Sequence, residues 1–302
     1  MRRLAYVLLS TVMVSCASTP TANRPVVAVQ SSSVPNSTSA SAMPTVLLDT
    51  RQEGILGPGG MTLRQEIGAV MMVGLTGPLT PAILDEWRQR QFGGLRLPAD
   101  EPAAGVAGAR ALIDSVRAVM AHPLLAATQQ EAPNITAAAQ RLQAEGFDID
   151  LAPDADVAAG RSPASVAQNV TAAIAGIHAA GIYAVASVSA NSLQAQQWLP
   201  LRAAIGAHVD MVMAPDLGVA AVRSQLGFKG VLISEDLRSQ TADAAVRFLK
   251  DGGDMVLISP DIAAADDTYD AIHTAVLSGS YERVKLDASV QRLLSLGLRF
   301  MP

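Results

Sequence analysis

The chain has 302 residues, half of them hydrophobic and only 16% charged, with a net charge of −5. No Lys/Arg cluster stands anywhere in it, which argues against nucleic acid as a partner, since that needs a basic face. Cys16 is the only cysteine, so an intrachain disulfide is excluded.

Residues 1–15 begin with Arg2 and Arg3 and continue as an apolar stretch from Leu4 to Val14. A basic start, a short apolar run and small residues before a cut describe a signal peptide, and the run is too short for a spanning helix. Met13-Val14-Ser15-Cys16 resembles a bacterial lipobox, in which the cysteine becomes the lipidated first residue. Ala17 follows rather than an aspartate, so in a two-membrane bacterium the expectation is an outer-membrane lipoprotein facing the periplasm. Residues 16–60 shift to Ser, Thr, Pro, Ala and Gly and have few large apolar groups to offset the entropy of ordering. They read as a disordered tether that spans roughly 35 Å as a random coil.

The single domain expected over residues 61–302 alternates short apolar runs with alanine-rich helical segments. The strand candidates are 69–73, 94–97, 124–128, 148–152, 183–188, 210–214, 230–234 and 255–259. Unbroken apolar runs suit strands buried on both faces of a parallel sheet. Helices are expected over 106–120, 135–145, 166–179, 199–205, 219–226 and 242–250, with another opening at Thr80-Pro81. Two more, 267–277 and 285–298, close the chain. Gly93-Gly94, Gly146, Gly181, Gly206, Gly230 and Gly252-Gly253 stand where helix C-caps do. Eight such units predict an α/β fold, a (β/α)8 TIM-like barrel, with a doubly wound open sheet as the competitor.

In a barrel the site lies at the C-terminal strand ends. Those ends carry Asp100, Glu131, Asp154, Asp156, Asp216, Glu235, Asp236 and Asp261, while His122 and His208 precede strands and His178 and His273 lie within helices. Acids without His or Cys disfavour a zinc centre or a Ser–His–Asp triad and suit sugars. No metal or other cofactor is expected. Several of these acids have a plainer reading as helix caps, Asp216 and Asp261 above all.

Several segments together resemble the N-terminal barrel of family 3 glycoside hydrolases, in the β-N-acetylhexosaminidase branch. They are Glu66-Ile67-Gly68-Ala69-Val70-Met71-Met72-Val73-Gly74 as an opening strand, Gly93-Gly94-Leu95-Arg96-Leu97, Gly146-Phe147-Asp148-Ile149-Asp150-Leu151-Ala152-Pro153, and Leu226-Gly227-Phe228-Lys229-Gly230-Val231-Leu232-Ile233-Ser234. The resemblance implies a retaining glycosidase ancestry, with the nucleophile position at Glu235, where the family has aspartate. The extra bond displaces the carboxylate by up to about 1.5 Å, and about 1 Å of misplacement can cost a hundredfold. Gln129 stands where the family has a sugar-holding aspartate, and Arg161 matches a sugar-binding arginine that otherwise reads as a surface ion pair. After the fifth strand the family has a sugar-binding Lys and His and, in a loop, the histidine general acid/base; here the run is Ser187-Val188-Ser189-Ala190-Asn191. Loss of a positioned acid forfeits roughly a hundredfold or more. The expectation is therefore an altered, non-hydrolysing barrel on a lipid anchor that binds glycan fragments or an envelope protein partner. The alternatives are a glycosidase with Glu235 as nucleophile and Asp154 or Asp156 as acid, and a purely structural docking protein.

Overall fold

The structure is a computed structural model that describes residues 48–98, 105–130, 132–157, 161–188, 198–213, 218–238, 240 and 242–297. The signal segment, Cys16 and most of the expected tether lie outside these residues, as do Asp100, Glu131, Asn191 and Asp216.

Eight parallel strands close into a barrel in chain order. They are β1 (Met71–Gly74), β2 (Gly94–Arg96), β3 (Leu125–Thr128), β4 (Ile149–Asp150), β5 (Tyr183–Ser187), β6 (Met211–Met213), β7 (Val231–Asp236) and β8 (Met255–Ile258). The pairing of Met72 with Leu257 joins β1 to β8 and excludes the open sheet. The helices are α1 (Leu63–Ala69), α2 (Pro81–Arg90), α3 (Gly105–Arg117), α4 (Ile135–Ala144), α5 (Pro163–Ala179), α6 (Trp198–Gly206), α7 (Val219–Ser224), α8 (Ala242–Lys250), α9 (Ile262–Leu277) and α10 (Arg283–Gly297). All eight expected strands are present, each within a few residues of its expected bounds. Their side chains are buried nearly throughout, as continuous apolar runs demand.

Local sequence sets the helix starts. Thr80 caps α2 through the Ile83 amide with Pro81 behind it, Ser162 caps α5, and Asp261 accepts from the Ala264 amide at the head of α9. The Asp261 carboxylate is thus a helix cap. Two expectations are corrected. Glu66 to Ala69 are not strand: Thr62 and Gln65 form a reciprocal capping box that starts α1 there. Three of the expected glycine caps do not supply the left-handed residue: Gln91, His208 and Gly227 do so in place of Gly93, Gly206 and Gly230.

Residues 48–60, expected in the tether, are packed. The described residues from Leu48 on belong to the same compact unit as the barrel, so the boundary expected at 60/61 moves toward the N-terminus. Two 3-10 turns, Thr50–Gly54 and Pro58–Gly60, run along α1, α9 and α10. Arg283 donates to the Gln52 and Ile55 carbonyls, His273 Nε2 lies 2.6 Å from Glu53 Oε1, and the Asp49 amide bonds to Leu277 O. The physical reason is that α9 and α10, far along the chain, supply polar partners in His273, Leu277 and Arg283 that the composition of this segment does not display.

α10 also crosses the N-terminal end of the barrel. Ser289 and Arg292 bond to Asp254 just before β8, and Tyr183 at the start of β5 donates to the Leu296 carbonyl. Acids anchor that end repeatedly. Asp148, Asp210 and Asp254, each just ahead of an even-numbered strand, accept the amides of Ala126, Ala184 and Leu232 on the strand before. Each also pairs with a basic side chain from the helix ahead of that strand: Arg117, His178 and Arg223.

Candidate functional site

At the C-terminal end, β7 delivers Ser234, Glu235 and Asp236 in succession. Ser234 Oγ accepts from the Leu257 amide at 2.9 Å and donates to the Glu235 carbonyl at 2.7 Å, which pins the strand beside β8. The register with β8 slips between Ile233 and Asp236, a bulge that re-aims the last residues. Glu235 is half-buried. Asp236 Oδ1 accepts from the amides of Ser259 at 3.0 Å and Arg238 at 3.1 Å. That carboxylate is therefore a clamp between the ends of β7 and β8.

Arg96 ends β2 and was visible in the sequence only as part of a strand fragment. Its guanidinium reaches past β1 to Ser259, donating from Nη1 to Oγ at 3.1 Å, and stands 4.0 Å from Asp236 Oδ2. Gly74, its register partner on β1, makes this reach possible: a Cβ there would sit 1.9 Å from Ser259 Oγ. Burial holds Arg96 below the ordinary arginine value, while Asp236 works the other way. The signal that marks Arg96 in the sequence is a cation closing an otherwise apolar, buried strand.

The β4 side is organised separately. Asp154 bridges to Ser187 of β5, and its Oδ1 accepts from the Asp156 amide at 2.8 Å. Arg161 donates to the Asp156 carbonyl at 2.9 Å and lies 3.9 Å from Asp154 Oδ2. It lines a cleft of about 420 Å³ with Pro133, Ile135, Asp154 and Asn169, between the head of α4 and the flank of α5. Gln129 is exposed just after β3. The structure thus groups Arg96 with Asp236 and Ser259, and Arg161 with Asp154 and Asp156.

All four histidines are away from the strand ends. His122 Nε2 lies 2.9 Å from the Gln91 carbonyl, His178 Nε2 lies 2.7 Å from Asp210 Oδ2, His208 precedes β6, and His273 faces Glu53. Larger clefts of about 460 and 580 Å³ open at the N-terminal end. Of the charged groups there, Arg117 is held by Asp148 and the Gly146 carbonyl, and Arg292 by Asp254. Among the described residues no helix is long and apolar enough to cross a membrane.

No family model and no curated protein matches the chain. Solved structures do. A glycoside hydrolase family 3 β-N-acetylglucosaminidase from Paenibacillus sp. str. FPU-7 is similar at TM-score 0.69 and 21% identity, over 78% of this chain and 62% of its own. The chain therefore spans under two thirds of that structure. A β-N-acetylhexosaminidase from Beutenbergia cavernae DSM 12333 is similar at TM-score 0.70 and 21% identity, over 78% of this chain and 98% of its own. M tuberculosis LpqI is similar at TM-score 0.67 and 18% identity, over 79% and 94%. At these identities the likeness establishes the fold alone: this chain has a (β/α)8 barrel like those of the three structures.

Proposed function

We propose that this chain is a cell-envelope lipoprotein whose barrel binds cell-wall-type glycan fragments and does not hydrolyse them. One observation carries the reading: every histidine in the sequence is engaged at, or placed toward, the N-terminal end or the outer helices. No imidazole remains at the strand ends to protonate a leaving group. The acid that follows the nucleophile position, Asp236, is held by two backbone amides. The glycan class is supported by the similar structures, a β-N-acetylglucosaminidase and a β-N-acetylhexosaminidase, enzymes of N-acetylated amino sugars. The lipoprotein part rests on Cys16 in its lipobox-like setting.

A retaining glycosidase that works with two carboxyls would need the second about 5–5.5 Å from Glu235. Asp154 and Asp156 follow β4, three strands round the barrel from β7, and Asp154 faces Arg161 and the Asp156 amide. That placement disfavours either as the acid.

The full-length protein in detergent is expected to release no 4-nitrophenol from 4-nitrophenyl N-acetyl-β-glucosaminide above the blank, with Glu235→Ala indistinguishable from it. Turnover that Glu235→Ala abolishes would overturn the reading. Chitooligosaccharide at a hundredfold excess over its Kd should stabilise the fold by about 2.7 kcal/mol, seen as a raised melting temperature. For the anchor, Cys16→Ala should move the protein from the membrane fraction to the soluble one, and unchanged partitioning would remove the anchor from the reading.

A further inference from the structure

Arg96 and Asp236, at the strand ends, each keep one buried polar atom that makes no hydrogen bond within the protein. A guanidinium has five N–H donors. Arg96 Nη1 uses one on Ser259 Oγ, whereas Nε is buried and no protein group accepts from it. Asp236 presents the complement. Its Oδ1 accepts two amides, but its Oδ2 is buried and accepts no hydrogen bond, although Arg238 Nη2 lies at ion-pair distance, 3.1 Å. Leaving a buried donor or acceptor unmade costs about 1–3 kcal/mol, and folded proteins rarely tolerate it without a reason.

The geometry points to a ligand hydroxyl subsite between Arg96 and Asp236, in which one or two neighbouring hydroxyls accept from the guanidinium and donate to Asp236 Oδ2. A hydroxyl is both donor and acceptor, so it satisfies both orphans at once. The guanidinium Nη1 of Arg96 stands 4.0 Å from Asp236 Oδ2, a separation that vicinal hydroxyls of a saccharide ring can straddle. An anion would pair with Arg96 and Arg238 but meet the Asp236 carboxylate, with Glu235 next along the strand, whereas a neutral hydroxyl meets no like charge. This subsite lies at the β2, β7 and β8 corner, distinct from the Arg161 cleft beside α5. It deepens the glycan reading above and rests on it.

The test is calorimetric titration of tri-N-acetylchitotriose into the full-length protein, its Arg96→Met and Asp236→Asn variants, and an Arg88→Met surface control. Loss of a charge-assisted hydrogen bond should weaken binding at least about tenfold in the first two and leave the control unchanged. Wild-type affinity in Arg96→Met overturns the subsite and leaves the glycan reading standing. No binding by the wild type removes both. Arg96→Lys keeps the charge but lacks the Nε donor, so if Arg96→Met fails to fold the lysine variant decides: a tenfold loss supports the subsite, and unchanged affinity refutes it. A melting-temperature rise with inorganic phosphate that Arg96→Lys preserves would assign the corner to an anion instead and overturn the proposal.

Discussion

Asp254→Ala is expected to lower the unfolding free energy by about 3–5 kcal/mol, a large part of the roughly 5–15 kcal/mol that holds a typical domain together. The carboxylate has no solvent exposure and four kinds of partner: the Leu232 amide at 2.8 Å, Ser289 Oγ at 2.9 Å, Arg292 at 2.8 Å, and Arg223. Removing it takes the carboxylate from two guanidiniums, of which Arg223 keeps only backbone carbonyls and is already held below the ordinary arginine value by burial. It also detaches α10 from β8. The contrast is Asp85, whose ion pair with Arg88 is exposed on both sides, so Asp85→Ala should change stability by no more than about 1 kcal/mol. Urea unfolding of the two variants checks the ranking; equal effects would show that Asp254 is not the anchor its contacts make it.

The second large effect depends on pH. Glu66 is fully buried in α1 beside the Arg283 guanidinium, and burial pushes its carboxyl up to about 7 against an ordinary 4.5, Arg283 opposing. Gly57 of the packed N-terminal segment passes so close that a Cβ there would overlap Glu66 Oε1. The unfolded chain gives up this proton near 4.5 and the folded chain only near 7, so between those values the folded state binds more protons. The associated stability is complete below 4.5 and is lost as pH rises through about 7. The gap corresponds to about 3 kcal/mol. Glu66→Gln, which is neutral at every pH, should remove that slope and be the more stable of the two at pH 8. Parallel stability profiles for the two proteins between pH 4 and 8 would refute the assignment.

Much of the barrel is legible residue by residue. Val231-Leu232-Ile233 is an unbroken apolar run and can only be a doubly buried strand in this context, and Thr80-Pro81 starts a helix whatever surrounds it. Misreadings arose where a local signal had two solutions. Gly68 and the apolar residues around it suit a strand, but the Thr62–Gln65 capping box turns the same stretch into α1. Residues 48–60 have the composition of a tether, yet Arg283 and His273, more than 200 positions later, hold them in place.

The candidate site divides the same way. Glu235 and Asp236 are legible because an apolar strand ends on them. Their separate fates are not: Asp236 becomes a clamp only because the Ser259 amide, on the neighbouring strand, faces it. Arg96 looked like one more residue of a strand fragment. It acquires a role because β1 lies between β2 and β8 and ends there on a glycine, so that a side chain from one strand can meet the end of the strand two places round the ring. Strand, helix and cap patterns depend on residues within a few positions of one another, so they can be read along the chain. Contacts among β2, β7 and β8 depend on closure of the ring, which brings together residues about 160 positions apart, and no run of neighbouring letters records which of them will touch.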